Sequence, residues 1–504
     1  MRSTSSWTTR TAQAPRRTAE WVPLVVLLIG IPWGIWSVYA LMSGDNSELV
    51  SLFTAAGWFF ILAFTYLSLH GIRGMAWCSV PVLVTYEAIF EFGLTPCWRF
   101  ATGQDQIDAI YVHAMLLTLM GFAAFWAASL LFKREGGLWF VPQTPSTTSR
   151  VALTSLLMLI LGLIGNVAVW KLGVGTYVWT TGDTGAEQAA LPYRIWLLAV
   201  MSLLSLAMVI SAIEIYGKKS RDPLIRFVFW VSVFSSIGFG AISGMKSEIL
   251  KPFLFLVVVY TMTNRRIPRS TFMLPVILIV IYPFVNAYRH NLDSGYSQSV
   301  NTLQGQAAAI EKTIEDVASS PFSTKEQSGK SFSNATDRLS LLTYFHDIVG
   351  LPAPSLLNGD EKIWMAPFYP LIPRFIWKDK PILEKGSRIS VALGRPRTTA
   401  SAPTLPGDMY SLWGTPGVIV GMFVYGILLQ VYMNWAGSGR FSELRLRIYI
   451  AFLIPIVDLE IDSVALIAGL VLLGIRMGIV SRIVYGPFHA DAAKVQRRPV
   501  VVRV

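Results

Sequence analysis

The residues of this 504-residue sequence best suited to chemistry lie in one proline-bracketed tract, Ile372-Pro373-Arg374-Phe375-Ile376-Trp377-Lys378-Asp379-Lys380-Pro381. Its prolines stiffen the chain and lower the entropy cost of presenting the side chains between them. Arg374 can grip a phosphate with two parallel N–H groups, and Lys378 and Lys380 add point charges. Trp377 can sit in a lipid headgroup layer or stack on a sugar ring. Other cations stand at intervals along the chain: Lys246 in a tight turn, Arg289 beside His290 at the end of an apolar run, Arg338, and Arg388, Arg395 and Arg397 after the tract. Each alone reads as a solvated surface charge. If they converge, they form a cationic, partly desolvated cleft suited to an anionic lipid headgroup such as a pyrophosphate.

The elements that would carry these residues are membrane spans. Hydrophobic residues make up 53% of the chain and charged residues 14%, against about 25% charged in a soluble domain. Apolar runs long enough to cross a bilayer are expected near 21–43, 50–70, 75–96, 109–132, 151–171, 194–216, 225–242, 248–263, 271–288, 409–435, 446–459 and 463–481. The expected fold is thus an all-α, polytopic bundle of about twelve transmembrane helices. The pair 225–242 and 248–263 is short and reads equally as one broken hairpin. The first apolar run is too long for a signal peptide core and reads as a retained anchor.

The net charge of +12 is explained by topology rather than by nucleic-acid binding. With the N-terminus inside, 23 Lys and Arg fall in inside segments. The short outside loops hold only Arg99, Lys171, Arg194, Lys246 and Lys251, and carry acids such as Asp105, Asp108, Glu460 and Asp462. This is the positive-inside pattern. The organisation that follows is a basic cytoplasmic tail over 1–20, nine spans over 21–288, a large extracytoplasmic loop over 289–407, three spans over 408–483 and a basic cytoplasmic tail over 484–504. The protein is placed in the bacterial cytoplasmic (inner) membrane with both termini cytoplasmic.

The loop holds 13 Lys and Arg and 11 Asp and Glu, and loops of this length escape the charge rule. Residues 301–319 and 334–349 read as amphipathic helices, the second with Leu339, Leu342, Phe345 and Val349 on one face. The tract 363–381 is too rich in proline for a regular helix. Such amphipathic pieces lie along the membrane surface or fold over the bundle.

Within the spans, Glu87 and Glu91 lie one helical turn apart; they line a water-filled cleft or pair with Arg99. Ionisable residues in lipid are costly enough to be functional candidates. Asp458, Glu460 and Asp462 form a tight acidic turn that reads as helix caps and charges complementary to the basic loop, ahead of a divalent-ion site. Cys78 and Cys97, about 30 Å apart along one helix, cannot form a disulfide. No metal-site spacing, no cofactor signature and no nucleotide-binding loop occurs.

The order of Lys246 in an outer turn, Arg289 after a span, Arg338 on a loop helix, the Pro373–Pro381 tract and then Gly407-Asp408-Met409-Tyr410 leading into Trp413-Gly414 resembles the oligosaccharide repeat unit polymerases, the Wzy-type O-antigen and exopolysaccharide polymerases. The resemblance is best over about residues 240–430, and the tract is its most specific part. It implies glycosyl transfer between two polyprenyl-diphosphate-linked oligosaccharides on the outer face of the membrane. Arg374, Arg289 and Lys246, backed by Arg338 and Lys380, would neutralise the leaving diphosphate. Asp408 is the first candidate for a general base, ahead of Asp379, Asp337 and His346. The implied partners are the lipid-linked glycan, membrane lipid and a chain-length regulator. A glycan ligase shares the large loop and arginines, and a flippase for lipid-linked glycan is the alternative of a different class; a sensory or scaffolding role finds no cytoplasmic output domain.

Overall fold

A computed structural model describes residues 32–33, 35–36, 48–70, 79–133, 148–171, 194–243, 246–264, 268, 284, 287–288, 291, 308–315, 340–372, 376–377, 379–381, 385–395, 401, 403–437, 449–450, 452–453 and 456–485. Among them the regular structure is helical throughout, with no strand. Six helices are long and apolar enough to cross a membrane: Glu48–His70, Ala109–Leu131, Val151–Lys171, Leu197–Tyr216, Pro223–Ser243 and Leu405–Trp435.

In chain order the α-helices are α1 (Glu48–His70), α2 (Val80–Ala88), α3 (Thr95–Ala101), α4 (Ala109–Leu131), α5 (Thr148–Lys171), α6 (Arg194–Met201), α7 (Leu203–Tyr216), α8 (Pro223–Ser243), α9 (Lys246–Asn264), α10 (Leu341–Val349), α11 (Lys385–Ala392), α12 (Leu405–Gly437) and α13 (Ser463–Tyr485). A π-helical stretch, Ile89–Leu94, joins α2 to α3. The expected third span therefore runs beyond residue 96 to Ala101, and its wide turn carries Glu91. Residues 225–263 form two helices, α8 and α9, packed on each other.

One packing unit joins α1, the α2 region, α4 and α12. Its centre is aromatic: Phe59 and Phe122 meet edge-to-face at 5.8 Å, Phe92 lies 5.6 Å from Phe122, and Trp126 5.8 Å from it. Polar groups inside this unit pair across helices, as lipid demands. Tyr66 meets Ser129 at 2.8 Å, Ser129 donates to Gln430 at 3.1 Å, and Trp126 Nε1 donates to Thr85 at 3.0 Å. A second unit packs α5, α7 and α8 around Met158, Leu159, Leu204, Ala207, Ile210 and Val228.

The tenth span departs from the single rod expected over 409–435. α12 is broken at Trp413 (φ −142°, ψ 19°) and Gly414 (φ 63°, ψ −147°). Gly414 occupies backbone space that an L side chain rarely enters. The chain then folds back on itself. A Cβ on Gly417 would lie 2.2 Å from the carbonyl oxygen of Met409, eight positions earlier, which in a continuous helix would be about 12 Å away. Residues 405–412 are thus a short helix lying against the start of the long one, and the bare face of Gly417 admits that approach.

Candidate functional site

The described part of the large loop is folded onto one end of the bundle. α10 is amphipathic and docks on α4, with Leu341, Leu342, Phe345 and Ile348 buried. Leu342 and Phe345 are on the face expected for them, Leu341 and Ile348 join them, Val349 is half-buried against the core, and Leu339 lies outside the described residues.

Two polar networks pin α10. Arg99 donates from Nε to Asp105 Oδ2 at 2.7 Å and makes a second bond from its Nη2 to Oδ1. Tyr111 and Thr343 donate to the same carboxylate at 2.8 and 3.2 Å. Burial would raise the Asp105 carboxyl, but the bonds from Arg99 and Tyr111 hold it below the usual carboxylate range. Arg99, expected beside Glu87 and Glu91, is committed here instead. The second network centres on His346, whose Nε2 lies 3.3 Å from Asp108 and Nδ1 3.3 Å from Asp347. A neutral imidazole can donate from only one nitrogen, so two carboxylate partners favour the doubly protonated ring. Burial pulls the His346 pKa down, yet the bonds to Asp347 and Asp108 raise it above its ordinary value. Tyr111 stacks on the imidazole at 4.1 Å.

The third network ties the loop to the end helices. Lys385, on α11, spends its three ammonium protons on Asn358 Oδ1 (2.8 Å), Ser411 Oγ (2.7 Å) and Asp408 Oδ1. The other oxygen of Asp408 accepts from the backbone N–H of Ser463 at 2.9 Å and from its hydroxyl. Ser463 opens α13, so this carboxylate also faces the positive end of a helix dipole. Asn358 closes the knot by donating to the carbonyl of Ser411 at 2.8 Å.

The expected site residues separate under this geometry. Asp408 is not an open base at the mouth of a span: it is buried, paired with Lys385 and bonded on both oxygens. Lys380 is buried rather than displayed, and its Nζ donates to the carbonyl of Ile372 at 3.1 Å. Trp377 is half-buried and stacks on Tyr369 at 5.7 Å, in a cluster with Ala366 and Val464. Arg388 and Arg395 do not pool their charge in a common cleft. They pair with Glu361 and, at 3.1 Å, with Asp347. Asp379 is exposed. Arg289, Arg338, Arg374, Arg397, Lys378, His290 and Asp337 lie outside the described residues, as does the side chain of Lys246.

Glu87 and Glu91 face the turn between the last two spans. Glu87 Oε1 accepts from the N–H of Leu459 at 3.3 Å, and the Oε2 atom of each glutamate is buried with no hydrogen-bond partner. Asp462 caps α13, accepting from Ala465 N at 2.7 Å, in line with the capping expected of it. Among the described residues no group of His, Cys, Asp and Glu is arranged to hold a metal ion.

Sequence reasoning passed over Asn358, Glu361 and the pairing role of Lys385. Their only signal was the composition of a loop with nearly balanced charge, since pairing over 23 to 53 positions (|i−j| for Lys385–Asp408 and Asn358–Ser411) has no local pattern.

The family model described as Domain of unknown function (DUF8712) matches residues 187–441. No curated protein and no solved structure matches the chain.

Proposed function

The chain belongs to the DUF8712 family, and from that premise we propose that it polymerises polyprenyl-diphosphate-linked oligosaccharide repeat units at the outer face of the bacterial cytoplasmic membrane. The matched region, 187–441, takes in the whole stretch from Lys246 to Trp413-Gly414 on which the polymerase resemblance rests. In the reaction, a sugar hydroxyl of one lipid-linked glycan attacks the anomeric carbon of another. The bond to the lipid diphosphate breaks, and the hydroxyl proton passes to a base or to the departing phosphate. The chain's task is to neutralise that leaving group. Arg374, Arg289, Lys246 and Arg338 are the residues proposed for it.

The observation that carries this reading is the seating of the loop. A polymerase needs its cations held at a fixed place beside the membrane, and the buried Lys385–Asp408 knot fixes α11, the 354–358 turn, α12 and α13 together. The Lys380 bond to Ile372 and the Trp377–Tyr369 stack anchor the described residues of the tract. Asp408 and Lys380 thereby act in this proposal as positioning residues, and Trp377 as the pillar of the tract.

The flippase alternative gains one specific observation, the π-helical turn with Glu91 buried in a span, because π-bulges and intramembrane acids recur at transport sites. Deleting the protein from its host and sizing the surface glycan separates the readings. Loss of long chains, with single repeat units still transferred, is the expected result. Repeat units trapped on the cytoplasmic side would replace this reading with a flippase, and long chains accumulating on the lipid carrier would replace it with a ligase.

A further inference from the structure

Residues 363–372 form a proline-punctuated ribbon with apolar side chains on both its buried and its exposed side. Met365 N bonds to Lys362 O, Ala366 N to Ile363 O, Phe368 N and Tyr369 N to Met365 O, and Leu371 N and Ile372 N to Phe368 O, all within 3.3 Å. Pro367 and Pro370 supply the two positions with no N–H to satisfy. Every backbone donor from Met365 to Ile372 is therefore bonded inside the segment or absent.

One side of this ribbon is spent on the protein. Ala366 and Tyr369 are buried against Val464 and Ile467 in the first turns of α13, with Trp377 beside them. The side chains of Trp364 (65% exposed), Phe368 (49%) and Leu371 (46%) are left outside that packing. None of these side chains belongs to the buried cluster of Ala366, Tyr369 and Val464. A segment apolar on both its buried and its exposed side needs cover on both, and an exposed cluster of this size marks an interaction surface.

We infer that this face is immersed in the lipid bilayer, at the boundary between headgroups and acyl chains, beside the first turn of α13. Three features select lipid over another protein. Every backbone N–H from Met365 to Ile372 is bonded within the segment or replaced by proline, so no donor would be left unsatisfied on entering the acyl boundary. The ribbon rests on the end of an apolar helix, Ser463–Ile475, so its free side continues the surface of the bundle. That surface already presents bare aliphatic side chains, as Val420, Val424, Leu428 and Val431 do along α12. At the edge, Lys362 Nζ lies 5.8 Å from the Trp364 ring centre, an ammonium placed to reach phosphate while the indole occupies the interface. The inference does not depend on the polymerase reading.

The test uses the full chain with C78S and C97S, carrying W364C, F368C or L371C with a nitroxide label, in phosphatidylcholine vesicles. D360C serves as an aqueous reference and V424C as a lipid reference. Collisions with oxygen at 364, 368 and 371 should rise to the level of residue 424, and collisions with a water-soluble nickel chelate should fall well below those at residue 360. Nickel accessibility equal to that at 360 would overturn the inference in favour of a solvated face. Protection from both reagents would overturn it in favour of a protein cover, including a second copy of this chain.

Discussion

Lys385 and Asp408 form an ion pair whose side chains are only 9% and 2% exposed, and each uses its remaining hydrogen-bonding capacity on a different helix or turn. Removing one partner of a buried pair leaves the other charge uncompensated, which costs about 3–5 kcal/mol. Lys385→Ala or Asp408→Ala should therefore lower thermal stability in detergent sharply. The double change Lys385→Met with Asp408→Leu should recover part of that loss, because neither charge is then stranded. A double variant no better than the worse single one would show that the knot contributes more than charge balance.

The His346 contacts make the docking of α10 depend on pH. The folded-state pKa lies above the ordinary value of 6.5, so protonation favours the folded arrangement. Its stabilisation is complete below about 6.5 and is lost as pH rises through the higher folded value. Amide exchange in α10 should accelerate over that rise. His346→Gln should flatten the profile, and Asp108→Asn should shift its midpoint down.

Gly414 has open space around it, so only its backbone conformation resists substitution. Gly414→Ala should cost about 1–3 kcal/mol through strain. Gly417→Ala, whose Cβ would meet the Met409 carbonyl oxygen, should cost more. Thermal unfolding of both variants checks the order; the reverse order would contradict the folded-back elbow of α12.

Glu91 has a buried carboxylate oxygen without a partner and lies in the field of Asp458 and Glu460. Glu91→Gln keeps the shape and removes a carboxyl whose ionised form burial and those acids oppose, so it should stabilise the protein in detergent. A large destabilisation would mean that the charge itself is used. Glu91→Lys is the informative companion for glycan output, since a cation there would find three acids.

Arg374 carries the proposed chemistry. Arg374→Ala and Arg374→Lys should both abolish chain extension in the host while leaving membrane insertion intact, because a lysine keeps the charge and loses the paired N–H geometry. Glycan of wild-type length in either variant would sink the assignment.

Six of the twelve expected spans are helices long and apolar enough to cross a membrane among the described residues; these were legible because lipid imposes a rule on consecutive residues, that about twenty apolar side chains in a row form a helix. The same is true of α10, whose docking face follows from helical spacing, to within a position. The wide turn at Ile89–Leu94 was not legible, since only backbone angles change there; the elbow at Gly414 had a local signal in Gly414-Thr415-Pro416-Gly417, but nothing in it says that the chain folds back. Charge pairing was the least accessible. Arg99 chose Asp105 over Glu87 and Glu91, and Lys385 chose Asp408, on distances set by how distant segments stack. Residue types and hydropathy thus determined by themselves that this is a membrane-spanning helical chain with a charged loop. Only the tertiary structure decided which loop charges are spent on holding it together, because desolvation rewards each buried charge for the partner it meets in space, whatever its place in the chain.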